Sequence, residues 1–392
     1  MSTAETSLIP AVEQIAGGEV MDVSSRETLE EHIYRYGRGY DSYLSVEPDR
    51  QYFWAKDQCG VISFVRLGRY VYVTGGLLAP EDRWEELATQ FLSFAKKHKY
   101  LVTFFNLDQA QRELLAKLGL QITKVGEDAV IDLTACTWRG KPFEWVRRQS
   151  NYCQRHGLEF SECHHDMLAE EDWRQVMAEL DEVSRDYLRM KPYGARMRNF
   201  VGRFEPLWLQ RRRVFIARSK QGAGLIEGFI VCNPSHNGRR WSVEMMRHCA
   251  DATRGVIPFL IHQTFCTFQD EGIPEASLCM IPALRCGNPL EGDSRLLRFF
   301  LGLSIDRFGL YYDIPGMYHF KTRFRPGFQE CFVAASPKVT PLSMFAGMVL
   351  WGLSWANYFR VATRAWKRLC NRESRRSLVI PESGKPARSA AG

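Results

Sequence analysis

Residues 61–107 read VISFVRLGRYVYVTGGLLAPEDRWEELATQFLSFAKKHKYLVTFFNL. Residues 61–67 and 70–74 are rich in β-branched and aromatic side chains, and only Gly68 and Arg69 separate them. This spacing predicts an antiparallel hairpin. Gly75-Gly76 breaks the pattern. Pro80-Glu-Asp then opens an amphipathic helix over residues 83–97. Residues 100–106 are mostly apolar, as a buried strand requires. Antiparallel strands, a helix and a buried strand, in that order, form an α/β (α+β) unit.

The reading extends outward from this block. Residues 1–24 form an expected flexible arm, and a helix starts near Ser25. A strand is expected at 51–55. Asp108 opens a helix that stops at Leu118-Gly119, and two strands follow at 120–124 and 129–133. A second unit begins with a helix at 141–155. It continues with strands at 158–162, 214–217, 224–232, 241–246, 276–280 and 328–334, and helices at 170–187, 256–271 and 296–303. Both halves run from antiparallel strands through helix, strand and helix to a closing strand. The expected organisation is two tandem units, 25–140 and 141–338, of related topology. That order fits an acyltransferase fold, in which a splayed sheet holds the acyl donor; fold alone does not set the reaction.

The chain has 392 residues, 45% of them apolar and 25% charged. Such a composition excludes a mostly disordered chain, a fibre and a disulfide miniprotein. Eleven cysteines, without a CxxC pair, point to a reducing compartment. Residues 1–24 carry only acidic charges and do not resemble a signal peptide. The net charge of +7 is unevenly held. From Val339 onward nine Lys/Arg face two Asp/Glu, and the preceding residues balance at 43 basic and 43 acidic. A terminal basic cluster beside an apolar stretch suggests a membrane rather than general nucleic-acid binding. Val339 to Phe359 is 21 residues without a charge, near the roughly 20 needed to span a bilayer. Arg360, Arg364, Lys367, Arg368, Arg372, Arg375 and Arg376 follow. Residues 339–376 are therefore expected to form an apolar then basic helix lying in the membrane interface, with 377–392 a disordered tail. The alternative is a core helix with a solvated basic end.

Three further runs carry a resemblance. They are Gly126-Glu-Asp-Ala-Val-Ile-Asp-Leu133 with Gly140-Lys141, Arg147-Arg148 and Asn151; Ser242-Val-Glu-Met-Met-Arg247; and Phe320-Lys-Thr-Arg-Phe-Arg-Pro-Gly-Phe328. In this order, across residues 25–335, the chain resembles the C-terminal synthase domain of phosphatidylglycerol lysyltransferases, the multiple peptide resistance factor family. Glu244 stands where that family usually has Asp. The resemblance implies two GNAT-like domains. It also implies transfer of an aminoacyl group from charged tRNA to the hydroxyl of phosphatidylglycerol, with no metal or soluble cofactor. Family members usually carry a flippase domain in front, which this chain lacks, so a separate flippase is an implied partner.

An aminoacyl ester is already activated. The protein must hold the donor, align a lipid hydroxyl and stabilise an oxyanion. A cationic donor amine calls for a carboxylate, and lipid and tRNA phosphates call for Lys or Arg. Glu127 and Asp128, read as a loop entering a strand, either contact the donor amine or form a solvated turn. Lys141, Arg147, Arg148 and Asn151 either bind a phosphate or the tRNA end, or form a solvated basic face. Glu244 and Arg247 are the candidate catalytic residues; regular alternation would put them on opposite faces of a strand. Lys321, Arg323 and Arg325, read as extended, would face one way and bind phosphate, or else protect an edge strand. Asp313 either helps form the pocket or makes a turn. Arg211-Arg-Arg213 reads as a solvated run before a strand. Cys163-His164-His165 and Lys220-Gln-Gly-Ala-Gly224 are weak as metal and phosphate motifs.

The function expected is a lipid aminoacyltransferase at the cytoplasmic face of the cell membrane, with aminoacyl-tRNA and an anionic phospholipid membrane as partners. Lysine is the default amino acid and alanine comes next. Two rivals stand beside it: an N-acyltransferase that uses acyl-CoA or an acyl carrier, and a non-catalytic lipid-binding protein.

Overall fold

The computed structural model describes residues 23–47, 50–190, 211–220, 224–306 and 313–350. The expected arm before Val23 and the expected basic segment and tail after Leu350 lie outside the described residues.

The first half runs α1 (Val23–Tyr36), β1 (Gln51–Trp54), β2 (Val61–Leu67), β3 (Tyr70–Leu78), α2 (Trp84–Lys97), β4 (Leu101–Leu107), α3 (Gln109–Lys117) and β5 (Gln121–Asp132). The hairpin of β2 and β3 turns on Gly68, whose φ of 57° suits the first residue of a two-residue turn. Helix α2 buries Trp84, Leu87, Ala88, Phe91 and Ala95 on one stripe. Glu85 and Glu86 in its first turn and Lys96 and Lys97 in its last complement the helix dipole. Asp108 caps α3 by accepting from Gln111 N at 2.9 Å.

The second half runs α4 (Glu144–Arg155), β6 (Leu158–Cys163), α5 (Glu170–Met190), β7 (Arg213–Ser219), β8 (Ile226–Ser235) and β9 (Arg240–His248). It continues with α6 (Val256–Asp270), β10 (Glu275–Pro282), α7 (Arg295–Asp306), α8 (Ile314–Thr322), β11 (Gly327–Ser336) and α9 (Pro341–Leu350). Among the described residues the eleven strands form one sheet, in the order β1-β2-β3-β4-β11-β5-β10-β9-β8-β7-β6. The α/β (α+β) class holds. The last strand, β11, lies between β4 and β5 and pairs antiparallel with both.

Each half contains one parallel pair that starts together and then parts. β3 pairs with β4 only from Tyr70 to Val73. β9 pairs with β10 only at Arg240, Trp241 and Ser242, against Glu275, Ala276 and Ser277. Bulges drive both separations. On β3, Gly75 and Gly76 adopt φ of 80° and 72° where the register to β2 slips. On β9, Cys232 faces Val243 while Val231 faces Met245, so Glu244 is the extra residue. On β10, the register to β5 slips between Ser277 and Met280, and Cys279 sits at φ 63°. The first gap is filled. Gln111 of α3 donates to Leu77 O at 3.4 Å and accepts from Leu77 N at 3.3 Å.

Three local expectations need correction. Residues 121–132 form one strand rather than two, because β11 pairs with it from Gln121 to Val130 and β10 from Gly126 to Asp132, so the two together bridge the expected break. Residues 314–322 are helical, capped by Asp313 accepting from Gly316 N at 2.9 Å, so the run at 320–328 starts as helix and becomes extended only at Gly327, where β11 begins. Arg211–Arg213 is not a solvated run. Arg212 is fully buried against Glu47 at 3.0 Å, and Arg213 pairs with Glu162 and Glu271 at 2.6 and 2.5 Å. Arg211 pairs with Glu31 and covers the Tyr34 ring. These arginines tie the second half to α1 and to the turn after it.

A Cβ at Gly76 would collide with Gln111 Oε1, and the residue is left-handed, whereas Gly119 is left-handed with open space around it. Gly119→Ala is expected to cost about 1–2 kcal/mol in urea unfolding. Gly76→Ala should cost about 1–3 kcal/mol more, from overpacking the filled gap.

Candidate active site

Where β9 and β10 part, a row of polar side chains crosses the sheet. Asn233 on β8 faces Ser242 on β9, and Ser242 faces Ser277 on β10. Ser277 donates to Asp128 Oδ1 at 2.5 Å, and Asp128 on β5 faces Gln329 on β11. Asn233, Ser242, Ser277 and Asp128 are all buried. Arg240 spans the row from its β9 end, donating to Glu275 Oε2 at 2.6 and 2.8 Å and to Gln329 Oε1 at 3.0 Å. Gln329 shares its face of β11 with Cys331 and Val333, which α7 covers through Leu297 and Leu301. The row therefore lies on the α7 side of the sheet.

Glu127 and Asp128 sit in mid-strand, not in an entering loop, because β5 continues through them. As neighbours on a strand they point to opposite faces. Glu127 joins a charge cluster in which Lys124 Nζ donates to it and to Glu330, both at 2.7 Å, and Arg285 donates to it at 3.0 Å. Asp128 goes inward. Burial pushes its carboxyl above the ordinary range, against the Ser277 hydrogen bond and the charges of Arg240 and Lys321.

Lys321, Arg323 and Arg325 do not face one way, because the helix ends between them. Lys321 is buried and donates to Cys279 O at 2.8 Å and Met280 O at 3.1 Å. Loss of water lowers its pKa, and the nearby Cys279 and Asp128 pull it back up. Its ammonium is thus held against the bulge of β10. Arg323 lies over the Trp145 ring and meets His319 at 2.9 Å. Arg325 donates to Pro142 O at 3.4 Å. Both therefore lie at the start of α4, beside Lys141, Arg148 and Asn151, which are exposed. Arg147 is partly spent on structure, donating to Trp138 O and Gly140 O at 2.8 Å.

Glu244 is half-buried at the bulge, and Arg247 is half-buried further along β9. Regular alternation fails here. Val243 packs with the α4–α6 core and Met245 with the α5 core, yet Met246 turns back to the α4–α6 core. The bulge inverts the faces, so spacing alone misplaces Glu244 relative to Arg247.

Sequence reasoning missed Asp41, Asn106, Asn233, Ser277, Cys279 and Arg285. They come together through contacts between segments remote in sequence, and no local spacing marks them. Asp41 is buried after α1, and Asn106 Nδ2 donates to its Oδ2 at 2.7 Å. Burial pushes its carboxyl up to about 6, with a smaller contribution from Asp128.

The family model described as "Phosphatidylglycerol lysyltransferase, C-terminal" matches residues 31–335. A phosphatidylglycerol lysyltransferase of Bacillus subtilis is 24% identical over 309 residues, 79% of this chain and 35% of that protein. One from Staphylococcus aureus strain MRSA252 is 22% identical over 310 residues, 79% of this chain and 36% of that one. The chain thus spans about a third of the length of these relatives. Among solved structures, L-PGS from Bacillus licheniformis superposes with a TM-score of 0.69 at 24% identity, covering 86% of this chain and 99% of that one. This likeness shows a shared fold.

The raised pKa of Asp41 has a stability consequence. The folded state holds this proton more tightly than the unfolded chain, whose ordinary value is 3.8. The associated stabilisation is full below about pH 4 and is lost as pH rises through about 6. Urea unfolding of Asp41→Asn is expected to lack this loss. Its stability relative to the native chain should rise by on the order of 2 kcal/mol between pH 4 and pH 7.

Proposed function

The chain belongs to the phosphatidylglycerol lysyltransferase C-terminal family, and from that premise we propose that it is a lipid aminoacyltransferase. It moves an amino acid, lysine by default and alanine next, from aminoacyl-tRNA to the hydroxyl of phosphatidylglycerol or a related anionic lipid. The work is done at the cytoplasmic face of the membrane. Delivering the product to the other leaflet falls to a separate flippase.

The observation that carries this reading is the buried carboxylate Asp128 beside the parted ends of β9 and β10, with Glu244 at the bulge opposite. A neutral acyl thioester does not call for acids there, whereas an aminoacyl ester brings an ammonium that does. The helices that follow the parting strands support the same choice. CoA pyrophosphate needs free N–H groups at such a helix start. Helix α2 is preceded by Glu81 and Asp82 and carries Glu85 and Glu86 in its first turn. At the start of α6, Glu227 Oε2 already accepts from Thr253 N at 2.6 Å. Both positions repel a pyrophosphate.

The reaction is an ester exchange. The lipid hydroxyl oxygen attacks the aminoacyl carbonyl carbon and gives its proton to a base, the new ester forms, and the tRNA ribose oxygen leaves and takes up a proton. Asp128 and Glu244 orient the ammonium, while Lys321 and Arg247 supply positive charge to the developing oxyanion and the lipid phosphate. Lys141, Arg148, Asn151, Arg323 and Arg325, gathered around the start of α4, meet tRNA phosphates; Arg147 holds the loop that presents them. Glu127 sets the turn of charge around Arg285.

The lipid side finds support in α9. Its inner side rests on the sheet, with Ser343 and Ala346 buried and Tyr72 Oη donating to Ser343 O. Its outer side shows Leu342, Phe345 and Val349, 62%, 40% and 39% exposed. A helix held flat by protein with an apolar outer row suits the membrane surface, not a span. No helix of the described residues is long and apolar enough to cross a membrane.

Expression in cells lacking aminoacylated lipids is expected to yield a phosphatidylglycerol species heavier by one amino-acid residue in mass spectra of extracted lipids. Lys321→Ala and Glu244→Gln should each lower its amount by about 100-fold or more at equal protein level. A folded, abundant native chain that produces no such species would refute the reading.

A further inference from the structure

Asn233 and Ser242 lie side by side in the polar row, and both are completely buried. Neither Asn233 Nδ2, Asn233 Oδ1 nor Ser242 Oγ has a hydrogen-bond partner. Buried polar groups in folded proteins are nearly always paired, because an unmade bond costs the whole desolvation of the group. Three such atoms on facing residues of β8 and β9 are a departure that packing does not explain. Apolar side chains would fill the same positions without this cost.

The location narrows what they wait for. Ser242 is the last residue of β9 that pairs with β10, so it stands at the point where the two strands part. Its other neighbour in the row, Ser277, is already committed to Asp128 and also accepts from Cys279 N at 2.8 Å. A ligand group at the parting point therefore meets a carboxamide and a hydroxyl on one side and a buried carboxylate on the other. The carboxamide offers an acceptor oxygen and a donor NH2 group side by side. A cationic amine next to a carbonyl satisfies this set: the amine gives a proton to Asn233 Oδ1 with its charge facing Asp128 across the row, and the carbonyl accepts from Asn233 Nδ2 or Ser242 Oγ.

We infer that Asn233 and Ser242 form the recognition site for the α-amino-acyl group of the donor, reading its amine and carbonyl together through uncharged side chains. This rests on the aminoacyl-transfer reading and adds to it the residues that identify the group transferred. Both residues contact the transferred group directly, and neither takes or gives up a proton in the reaction.

The site makes an unusual demand, because its residues should weaken the empty protein while serving the ligand. The test uses the full chain and three small probes: L-lysinamide, L-alaninamide and propionamide, which keeps the carbonyl but has no amine. Calorimetric titration of the native chain is expected to show binding of one or both aminoamides and none of propionamide. Asn233→Leu, which keeps the side-chain size, should reduce that affinity by about tenfold or more and leave the urea midpoint equal or higher. Ser242→Ala serves as a second, smaller change with the same two readouts. A fall in midpoint for both variants would mean that the polar atoms are satisfied in the folded chain, and would overturn the inference. So would a native chain that binds propionamide as well as the aminoamides, or binds none of the three. Asn233-dependent aminoamide binding in a chain that forms no aminoacyl lipid would retain this site and refute the transfer reaction instead.

Discussion

β11 is the last strand among the described residues and lies within the sheet, where it supplies hydrogen bonds to β4 on one edge and β5 on the other. Without it the backbone groups of both neighbours would be buried and unpaired, which no fold tolerates. Everything at the candidate site depends on this insertion. It fixes the register that sets Gln329 against Asp128 and Glu330 against Glu127. It also forces β5 to run unbroken, so two adjacent acids are sent to opposite faces with different fates. The arginines before β7 act in the same direction, since Arg212 is buried against Glu47 of the first half.

The two halves share a layout and have diverged in what fills their parted strands. In the first, Gln111 makes a two-way amide contact with Leu77 and closes the gap. In the second, Ser242, Ser277, Asp128, Glu244 and Lys321 collect around it. A glycine pair allows the first opening and two bulges make the second. The same separation of strands thus serves packing in one half and leaves polar groups unmatched in the other. Buried charge in the second half is expensive unless compensated. Asp128 and Lys321 offset part of that expense through the attraction between their charges and through hydrogen bonds to Ser277 and to the carbonyls of Cys279 and Met280.

Charge and apolar surface are arranged around this centre. The cations at the start of α4 come from two stretches far apart in sequence, which meet because Arg325 reaches Pro142 and Arg323 covers Trp145. The apolar outer row of α9 stands over β2 and β3. Phe105 packs both with the cluster under α9 and with the cluster under α7, so the two helices flank it on one face of the sheet. That face also holds Asp128. The apolar row of α9 and the buried carboxylate therefore lie on the same face of the sheet.

Local pattern by itself determined the class of the fold, the hairpin at Gly68, the polarity and stripe of α2, and the cap at Asp108. Each of these depends on residues within a turn or two of one another, and periodicity records such relations directly. The ordered motifs also marked Glu244, Arg247, Asp128 and Lys321 as residues to watch. Only the tertiary structure decided where they lie and what they touch. The face on which a strand residue points depends on bulges, and a bulge at Glu244 is visible only against β8. Whether Phe320–Phe328 is extended or helical was settled by Asp313 capping α8 and by its packing on β10 and the core, not by alternation of Lys and Arg. The register that sets Asn233 beside Ser242, and Ser242 beside Ser277, exists only once β8, β9 and β10 are laid side by side.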